Sequence, residues 1–552
     1  HVLFDDQKSG WLSDANGDYT VSFAESAAEK IRPFAELRPG DLVNLGGQAF
    51  TVSNLEQATC IAGDGELPFQ VGAGFPAPVV DARFGSIFAT IDYSEDPPLV
   101  FIGESVERES LQLTNLRQNI PGAGPLEKGL RAFDCPACGA PIELSSNAIQ
   151  RVGCPSCGSL LDAEDQRLKL IEKAREGMRI DPRLPLGSKG KLGGVEFEVI
   201  GFMRRQTTVE GIVYRWDEYL LFDPRGEFRW LTCSEGHWNF VRVLSNPPML
   251  SGNEMSILNS TVMGVSYEGQ RYKHFQHTRA SVAYVLGEFN WKVSVGEEAD
   301  IQDYVAPPKM LSREATENEI VWSLGEYITP EDIVAAFGLK KPLSKPVGVY
   351  ANQPNPRAET HRQTFSLFWK MGAASLALHL LLMLFSLGGI LDDEVFVYNA
   401  SNKSHAGKPF QLKGRSTTLR VENASTLENG WLDLDMALVN ETTGETWQAQ
   451  REISYYAGVE DGESWSEGSK SDEIVFADLP AGTYHLAIEG EAAPELAGAA
   501  TARTRVRRGG ALWSNFFMLA ALLAAFPIWT AVRRQSFETK RWMESDHPPK
   551  SD

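Results

Sequence analysis

Four cysteines form two Cys-x-x-Cys pairs, and their types and spacing point to metal chemistry. Cys135 and Cys138 make the first pair, and Cys154 and Cys157 make the second after fifteen intervening residues. Each pair presents two thiolates on a tight turn, and a hairpin between the pairs can bring all four sulfur atoms to one tetrahedral ion. The pattern predicts a zinc ribbon.

A ribbon of this kind holds its metal for structure and not for catalysis. Four thiolates fill the coordination sphere of zinc, so no position remains for a water or a substrate. Gly139 and Gly158 follow the second cysteine of each pair, where the turn requires a positive φ. Metal ligation outweighs a redox or free-thiol role for these cysteines. Whether the ribbon also contacts a partner stays open.

Composition limits which classes of partner are expected and which cellular compartment suits the protein. A chain of 552 residues is too long for one core and should form several domains. Its net charge of -21 argues against nucleic acid as a partner. The two further cysteines, Cys60 and Cys233, show no pairing pattern, which favours a reducing compartment. We therefore expect the N-terminal two-thirds to be cytoplasmic.

The ribbon lies between two segments that resemble each other. Their short alternating runs, bounded by Gly, Asp and Pro, predict small curved antiparallel sheets of the SH3-like kind. Three blocks align between them, namely 1–19 with 219–238, 65–69 with 287–291, and 92–98 with 303–308. Residues 40–52 also resemble the opening of the second segment, 184–201, which suggests that each module contains two small barrels of similar build. We interpret the pair as a duplicated module whose first copy is incomplete, and expect roughly 35 residues upstream, since missing opening strands would expose sheet edges.

Two later stretches predict membrane helices. Residues 371–391 give about 21 largely apolar residues, and residues 511–532 give a second such run. Between them, period-two alternation and turn signals predict a β-sandwich on the far side of the membrane. Basic residues flank both sides of the helices almost equally, so the predicted orientation depends on the reducing side that thiolates need.

These signals together predict a mainly β protein with two transmembrane helices. The predicted segments are a first β module at 1–118, the ribbon at 131–161, a spacer helix at 162–181, a second β module ending in a helix at 182–338, a linker at 339–365, a transmembrane helix at 366–391, an extracytoplasmic β-sandwich at 392–508, a second transmembrane helix at 511–533, and a cytoplasmic tail at 534–552. The helix that ends the second module has Thr329 as N-cap, Pro330 in its first turn and Gly338 at its end.

The motifs in residues 1 to about 330 resemble a bacterial domain of unknown function family, number 4178. The residues that carry the resemblance are the Cys-Pro-x-Cys-Gly knuckles, the run 187–194, Tyr219-Leu-Leu-Phe-Asp with Trp230-Leu, Gly287-Glu-Phe-Asn-Trp291, Asp303-Tyr, and Pro307-Pro. The resemblance implies a bacterial protein, and with the two predicted membrane helices we expect it in the inner membrane. Family members tend to be encoded near polyamine-synthesis-like enzymes and small membrane proteins, which implies a membrane-associated complex. The family supplies no activity, so no catalytic residue is carried over.

Several polar residues have both a functional and a structural interpretation. The repeated carboxylates are more simply turn and cap positions than acid and base pairs. For three histidines we favour an ordinary polar role at the surface over a second metal site. The carboxylates are Glu66, Glu288, Asp92 and Asp303, and the histidines are His237, His274 and His277. His379 lies within the first apolar run, where a proton or partner contact and a simple contact with the second helix are equally supported.

We expect a non-enzymatic, membrane-anchored scaffold or adaptor that binds protein partners and membrane lipid. Self-association into a homo-oligomer is a further option. The alternative is a receptor in which ligand binding to the β-sandwich shifts the packing of the two helices. An enzyme is the weaker alternative, because a phosphate loop, a nucleophile elbow, an HExxH helix and a Rossmann fingerprint are all missing from the sequence.

Overall fold

The computed structural model is mainly β-structure and divides into two compact units. One unit is His1–Pro356 with Arg534–Asp552, and the other is Arg357–Arg533. The structure describes residues 1–4, 6–15, 18–25, 30–60, 62–63, 65, 67, 74–106, 108–111, 114, 132–146, 148–163, 169–172, 180–223, 226–246, 248–250, 264–385, 389–399, 401–414, 417–460, 463–494, 500–509 and 512–549.

The first unit begins with an antiparallel sheet in the order β1-β2-β3-β8-β7-β6-β5-β4. Its strands are β1 (Val2–Leu3), β2 (Ser9–Ala15), β3 (Asp18–Glu25), β4 (Leu42–Leu45), β5 (Gln48–Cys60), β6 (Phe75–Phe84), β7 (Ile87–Asp92) and β8 (Leu99–Val106). Alternate residues such as Phe50, Val52, Val80 and Ile91 are almost fully buried in one apolar core. The period-two alternation of the sequence is what allows one face of this sheet to be apolar.

Short strands carry the four cysteines. They are β9 (Ala132–Asp134), β10 (Pro141–Glu143), β11 (Arg151–Gly153), β12 (Leu160–Asp162) and β13 (Lys169–Glu172). The predicted spacer helix at 162–181 is wrong for Lys169–Glu172, which pairs antiparallel with β12. A segment of mixed charge is compatible with a solvated helix and with an edge strand. Backbone pairing with β12 makes this segment a strand. The rest of that segment from 164 to 168 and from 173 to 179 lies outside the described residues.

The strands that follow close into a barrel. They are β14 (Lys189–Leu192), β15 (Val195–Val209), β16 (Ile212–Phe222), β17 (Phe228–Ser234), β18 (His237–Val243), β19 (Met249–Leu250), β20 (Gly264–Tyr267), β21 (Gln270–Phe289), β22 (Glu298–Ala306), β23 (Lys309–Ala315) and β24 (Ile320–Ile328). The ring runs β15-β16-β17-β18-β24-β23-β22-β21 and closes because β21 pairs with β15 as well as β22. At the closure, Gly287 has a φ of 81°, and a Cβ on Gly201 or Gly287 would collide with the neighbouring backbone.

Strand pairing contradicts the predicted alignment of the two modules. That alignment matches β3 with β18 and β7 with β22, so that β8 would correspond to β23. However, β8 pairs with β3, whereas β18 pairs with β24. The neighbour orders agree instead when β4 is matched with β14, because β1, β2 and β3 then take the places of β22, β23 and β24. The resemblance of 40–52 to the opening of the second module fits this match. The prediction of two small barrels in each module is wrong, because β1–β8 form one sheet and β15–β24 contain one ring.

Helix α1 (Pro330–Phe337) confirms the predicted helix at the end of the second module. The Thr329 side chain accepts a hydrogen bond from the Asp332 N–H, and Gly338 is left-handed with a φ of 58°. Both caps satisfy backbone groups that the helix itself leaves unpaired. Ile333 and Phe337 then bury against the barrel core.

Part of the predicted linker is bound to the barrel, and we call residues 347–356 the strap. The Val347 N–H donates to the Glu235 carbonyl over 3.0 Å. Further along, the Asn352 amide donates to Asn239 Oδ1 over 2.8 Å and to the Pro308 carbonyl over 3.0 Å. Asn352 is fully buried. Composition could not distinguish a docked strap from a solvated linker, because the same polar residues suit both.

Two helices, α2 (Ala358–Phe385) and α3 (Trp513–Met543), are long and apolar enough to cross a membrane. Their bounds differ from the predicted 366–391 and 511–533. α2 begins soon after Pro356, and Ile390 already belongs to a strand, while α3 continues ten residues past Arg533 into the predicted tail. Hydropathy marks the apolar part of a helix and not its ends, which explains both differences.

α2 and α3 contact each other through polar and aromatic side chains. His361 Nδ1 lies 3.1 Å from Thr530 Oγ1. His379 is 7% exposed, and its ring centroid lies 4.7 Å from that of Trp513 and 5.6 Å from that of Phe516. His379 therefore packs against the other helix, which is the structural interpretation of this residue.

Between the helices, two antiparallel sheets enclose one apolar core, and we call this region the two-sheet domain. The sheets have the orders β25-β34-β28-β32 and β26-β33-β29-β30-β31, with β27 also on β33. The strands are β25 (Ile390–Tyr398), β26 (Ser404–Ala406), β27 (Phe410–Leu412), β28 (Thr417–Ser425), β29 (Gly430–Asn440), β30 (Thr446–Glu460), β31 (Glu463–Gly468), β32 (Ser471–Leu479), β33 (Gly482–Ala492) and β34 (Ala500–Arg508). Leu419 and Val421 from one sheet share the core with Leu432, Leu434 and Leu438 from the other.

Candidate metal centre

The two cysteine pairs form equivalent turns. The Gly139 N–H donates to the Cys135 carbonyl over 2.8 Å, and the Gly158 N–H donates to the Cys154 carbonyl over the same distance. The two glycines have φ angles of 74° and 75°, which confirms the predicted left-handed positions. These turns aim both sulfur atoms of each pair toward a common point.

The four sulfur atoms are close enough to share one metal ion. All lie within 4.8 Å of one another, and the Sγ atoms of Cys135 and Cys157, and of Cys138 and Cys154, are 3.8 Å apart. A tetrahedral zinc ion with Zn–S bonds of about 2.3 Å requires sulfur atoms separated by roughly 3.8 Å. The spacing of the thiols therefore fits a tetrahedral metal. Among the described residues, this is the one cluster of at least three His, Cys, Asp or Glu side chains with such spacing.

The thiols differ in their surroundings. Burial raises the pKa of Cys154 to about 12. Burial also acts to raise the pKa of Cys157, but hydrogen bonding to the Ser159 side chain and backbone, together with the neighbouring thiols, lowers it to about 7. The Cys157 Sγ and Ser159 Oγ atoms are 3.3 Å apart. A bound cation would favour the thiolate form of all four.

The second cysteine turn is built onto the barrel. Strand β11, which precedes Cys154, pairs with the end of β21, placing Gly153 opposite Gly287. A Cβ on Gly153 would come within 2.8 Å of the Leu286 Cα, so this close approach requires glycine. Cys154 is fully buried in a core that also contains barrel residues such as Phe289. The metal centre and the barrel thus share one apolar core.

The first cysteine turn has fewer links to the barrel. Strands β9 and β10 pair with each other in a sheet of their own, and Ile142 and Leu144 contribute to the shared core. Just beyond them, the N–H and the hydroxyl of Ser145 donate to the Glu288 carboxylate over 2.7 and 2.9 Å. Glu288 is therefore a polar link between the first turn and the barrel, and a metal held by all four thiols would add a second.

Replacing Glu288 by alanine should loosen this attachment at a cost of about 1–3 kcal/mol, because two partly buried donors of Ser145 lose their acceptor. Urea unfolding and hydrogen exchange over residues 145–153 would measure the loss. Glu143 is exposed on β10 and supplies the matched control, for which we expect little change. Equal stability of the Glu288→Ala and Glu143→Ala variants would contradict this role.

Comparison with known proteins relates the barrel to a family model. Residues 185–330 match the family model described as Domain of unknown function (DUF4178). We call this matched segment the DUF4178 domain. The matched residues include every strand of the barrel ring and α1's first residue, and the cysteine cluster precedes them. No curated protein matches the chain.

Solved structures give only weak likenesses. The insecticidal delta-endotoxin Cry8Ea1 from Bacillus thuringiensis is 10% identical over 59% of this chain and 54% of its own, with a TM-score of 0.13. PNGF-II is 8% identical over 57% of this chain and 68% of its own, with a TM-score of 0.14. The infectious bursal disease virus Gt strain structure is 12% identical over 65% of this chain and 64% of its own, with a TM-score of 0.12. TM-scores this low do not indicate a shared fold.

The predicted carboxylates have unrelated environments. Asp92 accepts a hydrogen bond from the Ser94 N–H in a turn, as expected of a cap. Glu288 binds Ser145, and Asp303 accepts hydrogen bonds from Ser312 and Gln276 inside the DUF4178 domain, so a turn or cap role is wrong for these two. Glu66 lies outside the described residues.

The three histidines that might have suggested a second metal site lie apart in their contacts. His237 Nε2 is 2.9 Å from the Val347 carbonyl, which is in the strap. His274 Nδ1 is 2.8 Å from His547 Nε2, and His277 Nε2 is 2.5 Å from Asp300 Oδ1. The predicted surface role is wrong for His237 and His274, which are each 1% exposed, because long-range contacts bury their rings. His277 remains exposed.

The DUF4178 domain also holds a buried ionic cluster that sequence analysis missed. Arg205 is 5% exposed, and its Nη1 and Nη2 atoms lie 2.8 and 2.7 Å from the two carboxylate oxygens of Glu314. Glu218 Oε1 is 3.9 Å from Arg205 and accepts a hydrogen bond from the Trp216 indole over 2.6 Å. Burial raises the pKa of Glu218, and the Arg205 charge partly offsets that rise. No sequence motif marks such a cluster, because its members come from three strands.

Proposed function

We propose that the protein is a non-enzymatic scaffold or adaptor anchored in a bacterial inner membrane. The DUF4178 domain and a structural zinc ribbon would face the cytoplasm and bind protein partners. The two-sheet domain, as a β-sandwich, would lie outside the cytoplasm, and α2 and α3 would contact lipid and other membrane subunits.

The helices support the membrane anchor. α2 and α3 contain 28 and 31 residues. At about 1.5 Å per residue both exceed the roughly 30 Å of a bilayer's hydrocarbon core. The residues just before α2 and the last residues of α3 belong to the same compact unit. That arrangement supports a hairpin whose two outer ends emerge on one side.

The donor set supports zinc and the cytoplasmic side. Four sulfur ligands in a tetrahedron suit zinc or iron, and the two-turn ribbon is a common structural zinc site. Thiolates persist in a reducing compartment, and all six cysteines are free of disulfides. Since four thiolates complete the coordination sphere, the metal would stabilise the fold and leave no position for a substrate.

One observation carries the scaffold proposal. The rest of the chain buries very little of the surface of the two apolar helices. Only 6% of the apolar stretch of α2 and 11% of that of α3 are buried. Phe517 and Leu522 of α3 are 62% and 70% exposed. A helix pair with so little internal packing offers most of its surface to lipid and to helices of partner subunits.

Purification of the full-length protein from its native membrane in mild detergent tests this proposal. We expect mass spectrometry to find a protein partner in near-equal amount. The Phe517→Ala and Leu522→Ala double variant should retain less of a partner that binds through the helices, whereas the Tyr456→Ala variant in the two-sheet domain should not. Recovery of the folded, metal-loaded chain alone would overturn an obligate scaffold.

A receptor is the second candidate, and the contacts between α2 and α3 favour it. His361 with Thr530 and His379 with Trp513 connect the helices near both ends. Ligand binding to the two-sheet domain would then have a route through the helix pair. A ligand that binds this domain and changes crosslinking between positions 361 and 530 would support the receptor over the scaffold.

A further inference from the structure

The last residues of α3 and those after it occupy a groove on the DUF4178 domain. One wall of this groove is the strap turn 350–353, and the other is the segment 274–277 of β21. We call residues 541–547 the C-terminal segment. The segment and both walls of the groove belong to the same compact unit. Four residues of the segment contact the walls of the groove, and each has a defined partner.

Arg541 is the most buried of them, with 1% exposure. Its Nη1 atom donates to the carbonyls of Tyr350 and Ala351 over 3.1 and 2.6 Å, and its Nη2 atom donates to the Gln353 carbonyl over 2.7 Å. Its Nε atom donates to Glu538 over 2.9 Å. Three carbonyls of one turn therefore converge on one guanidinium, whose planar fork of donors suits such an arrangement.

Trp542 fills the apolar part of the groove. Its ring centroid lies 5.6 Å from that of Phe275, and it packs on the small buried cluster that Phe275 forms with Val305 and Ala351. An arginine followed by a tryptophan thus places a charge on the turn and an aromatic ring on the strand. This combination is typical of the residues that dominate binding interfaces.

The end of the segment binds the edge of β21 through its backbone and two polar side chains. The Asp546 N–H donates to the Phe275 carbonyl over 2.9 Å, and the Asp546 carboxylate accepts from the His277 N–H over 2.7 Å. His547 Nε2 and His274 Nδ1 are 2.8 Å apart. These contacts therefore recognise the side chains of Asp546 and His547 and fix the direction of the segment.

We propose that this groove is a peptide-binding site specific for Arg-Trp, three residues, and then Asp-His, and that its resident ligand is the chain's own C-terminal segment. Occupation of the groove fixes the end of α3 to the DUF4178 domain. Release of the segment would free that end and expose the site to a peptide of the same chemistry. This proposal does not depend on the scaffold function.

A fluorescent peptide of residues 538–549 tests the site on the full membrane protein. In a variant truncated after Lys540, we expect saturable binding by anisotropy. In the full-length chain binding should be at least tenfold weaker, because the tethered segment has an effective concentration on the order of millimolar. Peptides with Arg541→Ala or Trp542→Ala should bind at least tenfold more weakly, and Lys540→Ala, an exposed position, should bind unchanged.

Failure of the peptide to bind a truncated protein that keeps its metal and its cooperative unfolding would overturn the proposal. Binding that is unaffected by Arg541→Ala would do the same. If the truncated protein does not fold, hydrogen exchange of the full chain decides. The His277 and Asp546 amides should exchange faster in Arg541→Ala than in Lys540→Ala, and equal exchange in the two variants would exclude a bound segment.

Discussion

Replacing Cys154 by serine should remove the metal and disorder the first cysteine turn. Cys154 is fully buried and lies within 4.8 Å of the other three thiols. Structural zinc contributes roughly 10–16 kcal/mol in small zinc domains, so loss of one thiolate should weaken binding by about a thousandfold or more, about 4 kcal/mol. After dialysis against a chelator, we expect metal content to fall from one ion per chain to nearly none. Hydrogen exchange should increase over residues 132–144.

The barrel should remain folded in this variant with a lower unfolding midpoint. Its ring closes through β15 and β21 without the cysteines, but its core includes Cys154 and Phe289 together. Cys60→Ser is the matched control, because Cys60 lies outside the cluster and is only partly buried. We expect that variant to keep its metal and its stability. A Cys154→Ser protein with full metal content would show that the four cysteines do not form the site.

Replacing Arg205 by methionine should destabilise the DUF4178 domain by about 3 kcal/mol, since it leaves the largely buried Glu218 carboxylate without its cation. This is the low end for a buried pair, because the other partner, Glu314, is 37% exposed. Methionine retains an apolar chain of similar length to that of arginine, so the lost stability reflects mainly the missing charge. The Arg205 side chain is 6% exposed and has Glu314 and Glu218 as partners. Urea unfolding monitored by tryptophan fluorescence would measure the change.

The loss should depend on pH. Burial raises the pKa of Glu218, while Arg205 lowers it, so removing the cation should raise that pKa further. A carboxyl with a raised folded-state pKa contributes stability below its unfolded pKa, and that contribution is lost as pH rises toward the folded value. We therefore expect a smaller deficit for Arg205→Met at pH 5 than at pH 8.

Arg279 provides the control for an exposed ion pair. Its Nε atom lies 3.0 Å from Glu298, and the two side chains are 74% and 54% exposed. Arg279→Met should change stability by less than about 0.5 kcal/mol at either pH, because exposed pairs are well solvated. A deficit in Arg205→Met that matches the control, or that is the same at pH 5 and pH 8, would contradict the account of a buried ionic cluster.

Sequence reasoning succeeded where the signal was local. The cysteine spacing, the positive φ of Gly139 and Gly158, and the caps of α1 each depend on a few neighbouring residues. Alternation likewise predicted the strands of the two-sheet domain, and apolar runs predicted α2 and α3. In these cases the chemistry of the segment alone restricts its conformation.

Sequence reasoning failed where the residue that a side chain contacts is distant in the chain. Arg205 lies 109 positions from Glu314, and Arg541 lies 191 positions from Tyr350. Burial of either arginine depends on strands or turns that no local pattern identifies. Closure of the barrel and docking of the strap belong to the same class, since each depends on long-range pairing. Charged and polar residues in such places look like ordinary surface residues in the sequence.

Labelling of introduced cysteines in intact cells tests the central claim, that the chain spans a membrane with the DUF4178 domain inside and the two-sheet domain outside. Lys340 and Ser466 are exposed positions in the two units. We expect a membrane-impermeant maleimide to label Ser466→Cys at once and Lys340→Cys only after the membrane is permeabilised. Labelling of Lys340→Cys from outside, or of both positions equally before permeabilisation, would contradict the account.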